Sequence, residues 1–165
     1  MSKRKLDELI YKYKNGDKEC FDEIYYLTYN AVYLSIRIII KDRQIIEDLI
    51  QETYMKAIDN LEKYHMGTNF SAWISSIARN ISINYYNREK KVELKEDNNP
   101  VFLIENKDSK LEYYLSFLKD EERSVVIYHL VLNFKFKEIA NMLNMPLSTV
   151  FAIYKKAVER IKKTL

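Results

Sequence analysis

At 165 residues, with 47% hydrophobic and 31% charged side chains but only two glycines and two prolines, the chain reads as folded and helical. Disorder is excluded by that apolar content, and an all-β fold by the shortage of turn residues. A net charge of +3, from 27 basic against 24 acidic residues, is too mild by itself to call for a nucleic-acid partner.

Cys20 is the one cysteine, so no internal disulfide forms and a reducing compartment is expected. The basic start Met1-Ser-Lys-Arg-Lys5 is followed by mixed residues, so no secretory signal is visible. The most apolar patch, Ile36 to Ile40, is interrupted by Arg37 and is too short to span a bilayer. A soluble cytoplasmic protein without membrane insertion is expected.

Leu6, Leu9, Ile10 and Tyr13 mark a first short helix, stopped near Asn15-Gly16. Asp17 is the expected cap of a long second helix with Phe21, Ile24, Tyr25, Thr28, Val32 and Ile36 along one side. A break at Lys41-Asp42-Arg43 leads to a third helix, expected from about Gln44 to Tyr64. Its apolar stripe is Leu49, Ile50, Thr53, Tyr54, Ala57, Ile58 and Leu61. Asp48, Gln51 and Glu52 stand at i, i+3 and i+4 on another flank. Such an acid-amide-acid patch is either a solvated face or a receiver for a partner's arginines in bidentate pairs.

A loop at His65-Met-Gly-Thr-Asn69 precedes a fourth helix carrying Phe70, Trp73, Ile74, Ile77, Ala78, Ile81 and Tyr85 at helical spacing. Trp73 lies on the apolar stripe and is read as core. These four helices are expected to form one bundle-like domain over residues 1–90. Residues 91–108 alternate charges without a period and hold Asn98-Asn99-Pro100, which reads as a linker. Its apolar run Val101-Phe-Leu-Ile104 either docks on a partner or packs on a neighbouring domain.

A second domain is expected over 109–165. Leu111, Tyr114, Leu115 and Leu118 give a short helix, and Val125, Val126, Tyr128, His129 and Val131 lie in another. Phe136 to Leu143, a turn at Asn144-Met-Pro146 and a last helix from about Leu147 form a helix-turn-helix candidate. Small Ala140 suits a close helix crossing, and Pro146 a helix's first turn. An αα-hairpin and a DNA-reading element remain alternatives on pattern alone. The fold class is therefore all-α, two small helical domains joined by a charged linker.

An enzyme is not expected. His65 and His129 are the only histidines, no metal-ligand spacing or phosphate loop occurs, and no cofactor is called for. His129, in an apolar helix, reads as a packed histidine.

In the first domain Phe21-Asp-Glu-Ile-Tyr-Tyr-Leu-Thr-Tyr-Asn30, Glu47-Asp-Leu-Ile-Gln-Glu-Thr-Tyr-Met-Lys56 and Phe70-Ser-Ala-Trp-Ile-Ser-Ser-Ile-Ala-Arg-Asn80 follow one another. In the second come Leu118-Lys-Asp-Glu-Glu-Arg-Ser-Val-Val126, Phe136-Lys-Glu-Ile-Ala-Asn-Met-Leu143 and Ser148-Thr-Val150. In this order and spacing the chain resembles the extracytoplasmic-function (ECF) sigma factors, promoter-specificity subunits of bacterial RNA polymerase, over nearly its whole length. The resemblance implies that Asp48, Gln51 and Glu52 bind the clamp helices of core RNA polymerase. It implies a first domain that captures an unstacked base of the downstream promoter element, with Asn80 reading an edge, Asn69 lining the pocket, and Arg79 and Arg88 holding phosphates. It also implies that the last helix enters the major groove of the upstream element through Ser148, Thr149, Phe151, Lys155 and Lys156. Control by an anti-sigma factor or by expression level is implied in the same way.

Two departures stand out. The family usually places lysine and arginine soon after the Thr-Val pair, where this chain has Phe151, Ala152 and Ile153. Phenylalanine and isoleucine replace neither phosphate anchors nor guanine readers, whereas an apolar side chain can touch a thymine methyl. Either an A/T-rich element or a protein-binding face follows. The second departure is Asn84 to Arg88, with fewer basic residues than usual after the fourth helix. The alternatives to a promoter-selecting factor are a sigma-fold interaction protein that binds polymerase without choosing promoters, and a free-standing helix-turn-helix regulator.

Overall fold

The computed structural model describes residues 3–92 and 109–164. They form eight α-helices and no strand, in two compact units divided between Val92 and Glu93. Of the linker expected over 91–108, residues 91 and 92 belong to the fourth helix; the remainder, with the 101–104 run, lies outside the described residues.

The first unit holds α1 (Lys3–Lys14), α2 (Phe21–Arg37), α3 (Arg43–Asp59) and α4 (Phe70–Val92). Gly16, at φ +101°, supplies the left-handed turn that ends α1. Asp17 does not cap α2: the chain makes one further turn, Phe21 N donating to Lys18 O, and the helix begins after Cys20. The side-chain cap belongs instead to α3, where Asp42 accepts from Gln44 N at 2.9 Å and Ile45 N at 3.1 Å. That helix is also shorter than its pattern suggests. It stops at Asp59, and Leu61–Lys63 continues as a single tighter 3₁₀ turn that still buries Leu61.

α4 packs on both α2 and α3, and its inner stripe Ile74, Ala78 and Ile81 is almost fully buried. Small serines at 71, 75 and 82 lie on the same side and let the helices approach. Four buried hydroxyls are satisfied by the preceding turn, Thr28 donating to Ile24 O, Ser35 to Ala31 O, Thr53 to Leu49 O and Ser82 to Ala78 O at 2.7–2.8 Å, while that of Ser75 has no partner among the described residues. Tyr54 crosses from α3 to α2, its OH 2.8 Å from Thr28 Oγ1 and 3.2 Å from the Tyr25 carbonyl. Burial pushes the Tyr54 phenol well above its ordinary pKa, so it remains a neutral donor.

The second unit holds α5 (Ser109–Ser116), α6 (Asp120–Val126), α7 (Phe136–Leu143) and α8 (Leu147–Lys162). α6 widens into a π turn over Ile127–Val131, which carries His129. Arg123 is nearly buried and ties down the turn after α5, donating to Leu115 O at 3.2 Å and Leu118 O at 3.0 Å. Asn144, at φ +52°, makes the left-handed turn between α7 and α8, and Pro146 sits at the cap of α8, one residue before its first turn. Ile139, Val150 and Ala157 have no exposed surface and Ala140 almost none, so the helix-turn-helix crossing is packed as its small residues require.

Candidate nucleic-acid and protein interfaces

α3 turns its apolar stripe inward except at Ile58, which is 38% exposed, and the opposite face carries Asp48, Gln51 and Glu52, all exposed. Met55, one turn on and 67% exposed, adds an apolar contact to this acid-amide-acid patch. Asp48 and Gln51 have no side-chain ion pair among the described residues, while Glu52 reaches Lys56 at 3.5 Å along the helix. A pair so exposed is worth only a few tenths of a kcal/mol (roughly 0.3–0.5) and yields readily to a better partner.

Lys56 connects that patch to a cleft. Between the end of α3, its 3₁₀ extension and α4 lies a cavity of about 290 Å³ lined by Lys56, Asn60, Lys63, Trp73, Ile77, Asn80, Ile81 and Asn84. Its size is near the lower end of small-molecule sites, roughly 300–1,000 Å³. The α3 side is tied together, Lys63 Nζ donating to Asn60 Oδ1 at 2.6 Å and Asn60 Nδ2 to Lys56 O at 2.9 Å. On the α4 side Asn80 and Asn84 stand four residues apart and exposed, with no hydrogen bond from either amide among the described residues. The floor is apolar and fixed. Trp73 is half-buried, held against Tyr64 and Phe70 at ring-centroid distances of 5.5 and 5.4 Å. Tyr64 is anchored in turn by Asp7 Oδ1 at 2.8 Å and Thr68 O at 3.0 Å. A flat apolar wall, two free amides and two lysines at the rim suit a planar heterocycle that carries a phosphate.

Of the residues expected here, Asn80 lines the cleft. Asn69 does not: its Oδ1 accepts from Ala72 N at 3.3 Å and helps open α4. Arg79 is half-buried outside the lining, and Arg88 continues the Asn80–Asn84 row two turns along, its guanidinium 5.8 Å from the Tyr85 ring centre. Trp73, read as core, has a second role as the cleft wall. Lys56, Asn60, Lys63 and Asn84 were not singled out by pattern. Only the four-residue step from Asn80 to Asn84 hinted at them, since the other three come from a different element.

In the second unit, Val150 and Ala157 face inward from α8, and Ser148, Ala152 and Lys155 lie opposite them, exposed. Thr149 and Lys156, also exposed, are on one flank, and Leu147 and Phe151 on the other. The lysine flank borders a groove of about 520 Å³ between α6 and α8, where Lys119, Lys156, Arg160 and Lys163 alternate with Glu121, Glu122 and Glu159. Arg160 is held by buried Glu122 at 3.0 Å. Phe151 leans on Phe136 of α7 with 4.4 Å between ring centres, and His129 stacks on the same ring at 4.0 Å. His129 Nδ1 is 2.9 Å from the Phe134 carbonyl, the satisfied, packed role expected of it. Among the described residues no cluster of histidine, cysteine, aspartate or glutamate could hold a metal ion, and no helix is long and apolar enough to cross a membrane.

Comparison with known proteins follows the same division. Residues 27–92 match the family Sigma-70 region 2, and residues 114–163 match Sigma-70, region 4. The chain is 28% identical over 152 residues to the ECF RNA polymerase sigma factor SigM of Bacillus subtilis, covering 86% of this chain and 92% of that one. It is 23% identical to SigW of the same organism over 97% and 96% of the two chains. Among solved structures, the fold is similar to the sigma factor RpoE crystallised with the anti-sigma factor NepR from Bartonella quintana, at TM-score 0.68 and 20% identity over 87% of this chain and 94% of that one. It is similar also to CnrH in complex with the cytosolic domain of CnrY, at TM-score 0.69 and 18% identity over 96% and 95%.

Proposed function

The chain belongs to the extracytoplasmic-function sigma factors, and on that premise we propose that it binds core RNA polymerase through α3 and directs initiation at a specific set of promoters. The observation that carries this reading is one helix serving two surfaces. α3 presents Asp48, Gln51 and Glu52 outward, and lends Lys56 to the cleft that holds Asn80 and Asn84. The patch receives arginines of the polymerase clamp in charge-assisted pairs. The cleft takes an unstacked base of the downstream element, with Trp73 and Ile77 against its face, the two asparagine amides at its edge, and Lys56, Lys63 and Arg88 along the backbone. The loop from His65 to Asn69 borders that strand. The exposed side of α8, with Ser148, Thr149, Phe151, Lys155 and Lys156, enters the major groove of the upstream element. Acting on core RNA polymerase, the protein would work in the cytoplasm and would itself catalyse nothing. The complex of RpoE with an anti-sigma factor supports control of the same class here.

The test is transcription in vitro by core RNA polymerase with and without the protein, on sheared DNA of the source genome. Discrete new start sites sharing two spaced elements are expected. Stable binding to core without new transcripts would overturn promoter selection and leave only a polymerase-bound accessory. The paired substitution Asp48→Arg with Gln51→Ala, both on exposed positions, should abolish core binding and leave the far-ultraviolet helix signal unchanged. A folded double variant that still binds core would remove α3 from the interface.

A further inference from the structure

We propose that α8 reads its promoter element through thymine methyl groups, with Phe151 as the specificity-determining residue and Ala152 as the point of closest approach. The inference rests on the sigma-factor reading above and names what the upstream surface recognises.

Three observations carry it. The face of α8 opposite buried Val150 and Ala157 has no long polar side chain in its first two turns. Leu147, 43% exposed, and Phe151, 49% exposed, line the flank next to that face, on which Ala152 is exposed beside Ser148 and Lys155. Leu147, Phe151 and Ala152 offer guanine O6 and N7 or adenine N6 and N7 no hydrogen bond, whereas the C5-methyl of thymine needs only apolar contact. Second, Phe151 is held in place. Its ring rests on Phe136, which His129 and Tyr154 close from the far side at 4.0 and 5.1 Å between centres. A ring already fixed by such a stack loses little freedom when it meets a base. Third, the apolar area is small and framed by Ser148, Lys155 and Lys156, all exposed. Hydroxyl and ammonium donors around a narrow apolar strip match phosphates on both sides of a groove. Ala152 adds the geometry, since a methyl side chain at the centre of the face lets the helix backbone sit close to the base edges.

The experiment compares thymine with deoxyuridine, which lacks only the methyl group. Holoenzyme assembled from core polymerase and the full chain is bound to duplex pools randomised over the upstream element, one pool built with thymine and the other with deoxyuridine. The thymine pool should yield an A·T-rich consensus. Replacing its contacted thymines by deoxyuridine should weaken binding about three- to fivefold per methyl. Phe151→Ala should bring the two forms within about twofold of each other, and Phe151→Leu, which keeps an apolar group, should retain the preference. Equal binding of thymine and deoxyuridine duplexes by the native holoenzyme would overturn the proposal, as would a consensus of G·C pairs. Holoenzyme that binds the pool without enriching any upstream consensus would overturn it while leaving the sigma-factor reading standing. Failure to form holoenzyme at all would remove the premise and the proposal together.

Discussion

Asn80 stands on α4 with its amide unengaged, four residues before Asn84 and facing Lys63 and Asn60 across the cleft. A side chain that makes no hydrogen bond within the fold contributes little to stability, so Asn80→Ala should leave folding intact. Its loss should lower promoter opening about three- to tenfold, the worth of one hydrogen bond of roughly 0.5–1.5 kcal/mol, with core binding unchanged. Abortive-product assays on a promoter from the library experiment read this directly, and unchanged opening would take Asn80 out of base recognition. At this scale much was legible beforehand. Thr53 and Tyr54 were placed on the buried stripe of α3 by spacing alone, and both are there. Asn80 was named, whereas Lys56, Asn60 and Lys63 were not. Helical spacing reports which residues share a face of one helix, and these three meet Asn80 only because two elements pack together. Trp73 shows the limit from the other side, because one ring both closes the core and walls the cleft.

Helices α6 and α7 open with the same device on lysine caps, which cannot accept a hydrogen bond. Glu122 Oε2 accepts from Lys119 N at 3.0 Å, and Glu138 Oε2 accepts from Lys135 N at 2.8 Å. Glu122 has a second bond that crosses to another helix. Glu122 is buried and also binds Arg160 of α8, so it fastens the far end of α8 to the start of α6. Glu122→Ala should therefore destabilise the second unit by about 2–4 kcal/mol, the loss of a cap and of a buried charge-assisted bond. Glu138→Ala should remove about 1 kcal/mol. Urea unfolding followed by circular dichroism distinguishes them, and equal losses would show that the Arg160 contact adds nothing. The existence and order of the helices were readable from apolar period, but their ends were not. α3 was read through to Tyr64 because Leu61 keeps the stripe going after the α-helical bonds have stopped. The π turn at Ile127–Val131 had no signal, since one extra residue per turn leaves the apolar run looking like ordinary helix.

For the whole molecule, two units with separate surfaces predict two kinds of variant. Changes in the acid-amide-acid patch of α3 should scale output from every promoter down together, because no polymerase is loaded. Changes at Phe151 should reorder the promoters, lowering some more than others. Transcript profiles of Asp48→Arg with Gln51→Ala and of Phe151→Ala, each over the same template library, make the comparison. A uniform decline in both would mean that α8 holds DNA without choosing it. The stack of His129, Phe136 and Phe151 bears on how such a preference changes over descent. On the proposed reading Phe151 both meets the bases and covers its neighbour, so a mutation toward arginine would alter the recognised bases and also bare the Phe136 ring. Neighbouring lineages would then be expected to vary positions 129, 136 and 151 as a set. A promoter preference resting on such a platform is inherited as a block and resists drift by single steps.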